Sequence, residues 1–363
     1  MAEHKKKVCV IFGGQSSEHE ISRVSATSVI NNLDKEKYKI IMLGITKKGK
    51  WYLYSGKVEN LHNGAWEKDR KHLKPAVLSP SSRDKGLLIE GADGKLRRMR
   101  VDVIFPVLHG MYGEDGTVQG LFELSGLPYV GCGVLASSVG MNKIYMKYVF
   151  EKAGLTQAKW LPFYTKDFAH IDEMAEQIEK ELGYPCFIKP ANAGSSVGIT
   201  RAENRQEVLA GLRLAAENDR QIVVEEAVVG REVECSVLGN ASENGSVRAS
   251  AVGEVVSAAG FYDYEEKYKT DTAELVIPAK LDVAVSDRIR ECARTAFCAI
   301  DGAGLSRVDF FVRQRDGAVV INEINTLPGF TSISMYAALW NVSGLPYGAL
   351  LDELIALAYT RQK

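Results

Sequence analysis

The sequence predicts an α/β unit followed by an α+β region in which antiparallel sheets are interrupted by helices. Two observations carry this. The chain opens on an apolar run within Lys7 to Gly14, stopped at Gly13-Gly14, then a helix-like stretch from Glu20 to Leu33 and a second apolar run, Tyr38 to Ile45, which is the β-α-β order of a parallel sheet. From Cys186 onward, short runs rich in β-branched and aromatic residues dominate instead, bounded by turn residues.

After this opening, Thr46 to Arg100 is polar and rich in Gly and Lys, with only Trp51 to Tyr54 and Gly86 to Glu90 reading as strands, so most of it is expected as surface hairpin and loop. Strand formers return at Val101 to Leu108. The turn His109 to Gly116 then leads into a helical pattern through Val118, Leu121, Phe122 and Leu124, and loops at the carboxyl end of a parallel strand commonly face a ligand crevice. A second module starts near Ser137, with a helix over Lys143 to Ala153 and another over Asp172 to Leu182, whose Met174, Ala175, Ile178 and Leu182 share one face. Gly183-Tyr184-Pro185 ends it. Strands are expected over Phe187 to Lys189, Gly198 to Thr200, Ile222 to Glu225, Glu232 to Leu238, Val247 to Val256, Ser306 to Val312 and Ala318 to Asn325, with a helix over Val283 to Ile300 and a closing core helix over Tyr347 to Tyr359. The expected units are residues 1–136, 137–220 and 221–363, the last carrying a lid loop over 257–275.

Composition narrows the function. A chain of 363 residues is long enough for two or three packed units, and its formal net charge of -1 gives none of the basic excess that tracks nucleic acid or anionic lipid. Neither nucleic acid nor membrane is expected as a partner. Six cysteines are scattered without CxxC pairs, mostly among apolar neighbours, which points to buried reduced thiols rather than zinc or disulfides. The charged start, Met1 to Lys7, runs straight into an apolar stretch far too short for a signal segment, so a cytoplasmic location is expected.

Residues able to do chemistry concentrate in a few stretches. Lys189 stands at a strand end before Pro190-Ala191-Asn192-Ala193-Gly194-Ser195-Ser196-Val197-Gly198, a small-residue loop that can wrap N–H groups and hydroxyls around phosphate oxygens. No Gly-Lys-Ser/Thr follows and no helix begins there, so a hairpin over a nucleotide fits better than a Walker loop, and a structural Gly-Ser turn fits equally well. Near the end, Glu323 and Asn325 lie two apart and face one side of their strand; if Arg313 to Gly317 make a hairpin, Asp309 joins them. Three hard oxygen donors without histidine or thiolate suit Mg²⁺ bridging phosphates, although a solvated sheet face has the same pattern. Arg307 alternates with Asp309 and supplies a cation for transferring phosphoryl or a developing oxyanion.

Other stretches say less alone. Glu225 to Val228, where a strand meets a connection, can suit an adenine edge, and Glu232 can accept ribose hydroxyl protons. Gly13 to Glu20 can bring Glu18 to a substrate ammonium, while Ser17 with Glu20 also fits a helix capping box. Gly260 to Tyr268 reads either as a water-excluding lid or as an exposed hairpin. His109 touches substrate or phosphate, or stabilises its loop.

Taken together, Gly13-Gly14 through Glu18 to Ser22, His109-Gly110 with Gly113 to Gly116, Lys189-Pro190 with Gly194 to Gly198, and Glu323 to Ser334 resemble the ATP-grasp superfamily and, within it, the D-alanine:D-alanine ligases, over essentially the whole chain. The resemblance implies an ATP-grasp fold with a Rossmann-like N-terminal domain, ATP between the sheets of the central and C-terminal domains, and a homodimer. By it, Lys143 and Lys189 contact the nucleotide phosphates, Glu225 and Val228 the adenine, and Glu232 the ribose, while Ser196 and Lys267 also bind ATP. Asp309, Glu323 and Asn325 hold two Mg²⁺ ions, with Mn²⁺ as an alternative occupant. Glu18 binds the first D-alanine's ammonium, Arg307 and Gly329 its carboxylate and later the oxyanion, and Ser334 the second carboxylate, with His109 beside the substrate. Ser195 and Tyr268 tie the lid to Glu18.

The implied reaction joins two D-alanines through D-alanyl phosphate for peptidoglycan precursor synthesis. Lys267-Tyr268 matches the dipeptide-forming branch. The rivals are a sister ligase forming D-alanyl-D-lactate or D-alanyl-D-serine, and a non-catalytic nucleotide-binding module, which predicts a missing arginine or metal carboxylate. Two departures from the family pattern stand out: Asn142 replaces an aspartate common before Lys143, and Ala337-Ala338 follow Tyr336 where proline is common.

Overall fold

The computed structural model describes residues 5–194, 197–243, 245–256 and 274–361. Its first part alternates β1 (Lys6–Gly13), α1 (His19–Asn32), β2 (Tyr38–Ile45), β3 (Trp51–Tyr54), α2 (Glu59–His62), β4 (Leu73–Leu78), β5 (Gly86–Glu90), β6 (Leu96–Arg100) and β7 (Val103–Val107). These strands form one sheet in the order β6-β5-β4-β3-β2-β1-β7. β1 runs parallel to β2 and β7, as the apolar, doubly covered runs require, and the rest is an antiparallel extension. The stretch expected as loop therefore contributes β4 and β6 as well.

Helices α3 (Thr117–Ser125), α4 (Val134–Met141) and α5 (Lys143–Lys152) lead to a four-stranded sheet of β8 (Trp160–Tyr164), β9 (Cys186–Pro190), β10 (Thr200–Ala202) and β11 (Gln221–Glu226), ordered β10-β9-β11-β8. Helices α6 (Ile171–Glu181) and α7 (Arg205–Asn218) cover one face, burying Met174, Ile178, Val208 and Leu212 against Ile188 and Val224. β11, expected in the C-terminal unit, pairs with β8 and β9, so the division at residue 220 falls one strand early.

The last sheet holds β12 (Gly230–Asn240), β13 (Arg248–Val256), β14 (Glu274–Val276), β15 (Ala303–Arg313) and β16 (Val319–Asn325), in the order β14-β13-β12-β15-β16. α8 (Val283–Ala299) packs Ile289, Ala293 and Phe297 on it, sharing a core with Met146 and Phe150 of α5. α9 (Met335–Val342) and α10 (Tyr347–Thr360) return the chain to the first sheet, where Leu350, Leu354 and Ile355 share a core with Val8, Val10 and Val29. Both ends of the chain thus brace the same sheet. No helix among the described residues is long and apolar enough to cross a membrane.

Candidate active site

The site is assembled by register. β15 and β16 form the expected hairpin, with Asp309 opposite Glu323 and Arg307 opposite Asn325. Pairing then slips, because Phe310 faces Ile321, and Asn322 is the extra residue of a bulge beside the three oxygen donors. Across β15, Glu234 of β12 faces Asp309, so Glu234, Asp309 and Glu323 form a row of carboxylates. Arg307 sits among them: its Nε and Nη2 donate to the two Asp309 oxygens at 2.7 Å each, and Nε lies 3.0 Å from Glu234 Oε2. Burial disfavours the guanidinium charge, yet Asp309 and Glu234 outweigh it and hold Arg307 protonated well above its ordinary range.

The opposite wall comes from the four-stranded sheet and α5. Glu225 of β11 is bridged by two ammoniums at 2.7 Å, Lys189 of β9 on Oε2 and Lys147 of α5 on Oε1. Burial pushes the Glu225 carboxyl up, but the lysines overcome this and bring it to about 2. Burial likewise opposes charge on Lys189, and Glu225 more than compensates; for the more enclosed Lys147, burial wins and the pKa falls. Phe187, Lys189, Glu225, Val228 and Glu232 line one cavity with Arg307, Asp309 and Glu323. Residues expected at adenine, ribose, phosphate and metal therefore meet in one cleft between two sheets.

A second hollow opens beyond it, lined by Glu18, Glu114, Gly194, Asn325 and Thr326, and Lys143 and Glu323 line both spaces. Lys143 Nζ donates to the Ala193 carbonyl at 2.9 Å and lies 3.8 Å from Glu323. It begins α5, capped by Asn142, whose Oδ1 accepts from Ile144 and Tyr145 N–H at 3.2 Å. The Asn142 amide also donates to Asn192 Oδ1 at 2.9 Å and Gln221 Oε1 at 2.8 Å. An aspartate has no such donors, so the departure from the family pattern matches its neighbours.

Glu18 is buried and is the N-cap residue of α1, with its N–H donating to Ser16 Oγ. The capping box expected at Ser17 does not form: the N-cap is Glu18, which makes no side-chain cap hydrogen bond, and Glu20 turns outward to Lys47 at 2.7 Å. Gly110 has φ +74°, and a Cβ there would lie 2.8 Å from Glu18 Oε2, so both backbone and space call for glycine. Gly329 and Ser334 lie close together, since a Cβ on Gly329 would be 3.6 Å from Ser334 Oγ. Their loop is anchored by Phe330, which packs on Phe105, Tyr336 and Tyr347 and accepts at 2.8 Å from the Tyr347 hydroxyl. Ser195, Ser196, Lys267 and Tyr268 lie outside the described residues, as does the greater part of the expected lid, 257–273.

His109 is placed otherwise than expected at a substrate. It is buried, Nδ1 donates to the Leu327 carbonyl at 3.0 Å, and Nε2 accepts from Ser25 Oγ at 3.2 Å, the neutral tautomer these partners require. It thus ties the Leu327 loop to α1. Burial lowers its pKa below 6.5, so the unfolded chain takes up the proton first. Its contribution is complete above about pH 6.5 and is lost below it, by at most ~1.4 kcal/mol per pH unit. The unfolding free-energy difference between wild type and His109→Gln, followed by denaturant titration, is therefore expected to shrink from about pH 7.5 to about pH 5.5.

Sequence reasoning passed over Lys147 and Glu234. Lys147 reads as one more helix lysine, although it stands four residues after Lys143 and so shares its helix face. Glu234 alternates with Glu232 in a strand of mostly apolar residues, and that alternation was the available signal.

Two antiparallel sheets closing on a cleft of lysines, carboxylates and one arginine give the ATP-grasp architecture. A family model described as D-ala D-ala ligase N-terminus matches residues 7–132, and one described as D-ala D-ala ligase C-terminus matches residues 149–356. A D-alanine--D-alanine ligase from Ruminiclostridium cellulolyticum is 53% identical over 98% of this chain and 96% of that protein, and one from Clostridium acetobutylicum is 47% identical over 98% and 99%. Among solved structures, the VanG D-Ala:D-Ser ligase from Enterococcus faecalis superposes with a TM-score of 0.89 at 41% identity, covering 98% of this chain and 100% of that one. The D-alanine-D-alanine ligase from Coxiella burnetii gives 0.85 at 34%, covering 99% and 95%. The chain belongs to the D-alanine–D-alanine ligase family.

Proposed function

We propose that this protein joins two D-alanines to D-alanyl-D-alanine at the expense of ATP, through D-alanyl phosphate, for peptidoglycan precursor synthesis. The observation that carries the reading is the shared wall of the two hollows: Lys143 and Glu323 face both the cleft suited to a nucleotide and the pocket holding Glu18. A phosphoryl group leaving the cleft arrives where an amino acid can be held.

Glu18 takes the first D-alanine's ammonium, and Arg307 with the Gly329 N–H takes its carboxylate. Lys143 and Lys189 hold the phosphates and Glu225, Val228 and Glu232 the nucleoside, and Ser196 and Lys267 keep the ATP-binding role that the family resemblance gives them. The donor chemistry of Asp309, Glu323 and Asn325, two carboxylates and an amide oxygen, fits Mg²⁺. Mg²⁺ bound there would neutralise phosphate charge and favour in-line transfer.

The carboxylate oxygen of the first D-alanine bonds to the γ-phosphorus as the bond to ADP breaks. The second D-alanine, its carboxylate at Ser334, attacks the acyl carbon as a neutral amine. The oxyanion forms beside Arg307 and Gly329, and phosphate leaves as the peptide forms, carrying the proton given up by the amine. The family resemblance gives Ser195 and Tyr268, outside the described residues, a role in protecting the acyl phosphate from water. His109 acts through the loop that it anchors.

ADP release with Mg-ATP and D-alanine, with L-alanine as control and products identified by mass, tests the reading. D-alanine-dependent formation of the dipeptide is expected. Because one similar structure is a D-Ala:D-Ser ligase, D-serine and D-lactate are added in parallel. A mixed product as the main species moves the protein to a sister activity, and no D-alanine-dependent turnover overturns the ligase reading.

A further inference from the structure

The carboxylate row of β12, β15 and β16 holds one more acidic residue than the reaction as described uses. Glu234 is 4% exposed, Asp309 3% and Arg307 7%, so one guanidinium is enclosed with two carboxylates. The pairing is unequal. Both Asp309 oxygens receive N–H donors from Arg307 at 2.7 Å, while Glu234 Oε2 stands 3.0 Å from the same Nε that serves Asp309 Oδ1. In this arrangement the oxygens of a proposed metal ligand are turned to the arginine, and a second carboxylate stands within hydrogen-bond distance of that arginine.

We infer that Glu234 is a positioning residue that takes over the Arg307 Nε–H when Asp309 turns to the cation, keeping the guanidinium fixed for the substrate carboxylate and oxyanion. Without such a partner, Asp309 has two competing tasks. Holding the metal releases Arg307, and holding Arg307 keeps Asp309 from the metal. Glu234 removes the conflict, because the β12–β15 register fixes it beside Asp309, on the side away from Glu323. The row also has the charge for this role: with Arg307 between Asp309 and Glu234, a bound divalent cation adds the charge that offsets the remaining carboxylates.

The inference rests on the proposed ligase reaction, so wild type is first shown to form D-alanyl-D-alanine under the assay conditions. Glu234→Gln keeps the shape and removes the charge; Glu234→Asp keeps the charge. Binding of Mn²⁺ in the presence of ATP and absence of D-alanine, followed by electron paramagnetic resonance, reads the handover without turnover. Glu234→Gln is expected to raise the Mn²⁺ half-saturation and lower kcat, each by about tenfold or more, with the KM for ATP within about twofold. Glu234→Asp recovers part of both. A residue that only stabilises the sheet shifts the melting temperature and leaves the Mn²⁺ curve in place. An unchanged half-saturation in Glu234→Gln, whatever kcat does, overturns the handover.

Discussion

Arg307→Ala is expected to form dipeptide roughly a thousandfold more slowly than wild type, the scale of losing a preorganised oxyanion donor together with a substrate contact. Arg307 makes two bonds to Asp309 and pairs with Glu234 in a site almost closed to water. Its removal therefore also takes the cation they share from two neighbouring buried carboxylates, a destabilisation of about 3–5 kcal/mol. Arg307→Lys separates the two effects. It restores a positive charge and most of the stability, but an ammonium cannot reproduce the two parallel N–H bonds, so kcat stays low. ADP release measures the first quantity and denaturant unfolding the second. An Arg307→Ala enzyme that is folded and within tenfold of wild-type kcat removes the arginine from the chemistry.

Lys147→Met is the second large effect, and it falls on stability. Lys147 is 1% exposed and holds Glu225 Oε1 at 2.7 Å, so the substitution leaves Glu225 with Lys189 alone. A loss of roughly 3 kcal/mol is expected, read as a lower denaturant midpoint at unchanged slope. The pair also sets an acid limit. Glu225 is brought to about 2 from 4.5, so its contribution is complete above pH 4.5 and is lost as pH falls through that range. If Lys189 takes the nucleotide phosphates as proposed, Lys147 is the cation that stays with Glu225. Saturating ATP is therefore expected to restore less stability to the variant than to wild type.

Much of this site was legible before any coordinates. Alternation alone placed Glu323 and Asn325 on one face and brought Asp309 and Arg307 to them across a hairpin, and the register agrees. The parallel opening was equally plain, because β1 and β2 are apolar on both faces. What escaped lacked such a pattern. β6, Leu96–Arg100, is an edge strand whose residues are mostly exposed, so it carries no buried stripe. α7 was missed among the short strands of its region, although Val208, Leu212 and Ala215 mark its inner face. The bulge at Asn322 and the double tether of His109 depend on neighbours distant in the chain, and no local periodicity reports them.

The central claim is that the substrate carboxylate is activated by phosphoryl transfer in the cleft joined to the Glu18 pocket. It is tested most directly with D-alanine carrying oxygen-18 in both carboxylate oxygens, following the label by mass spectrometry of the products. One labelled oxygen is expected in each phosphate released, with unlabelled ADP, because the oxygen that attacks phosphorus departs with it. Label in AMP, or phosphate without label while dipeptide is formed, would contradict it.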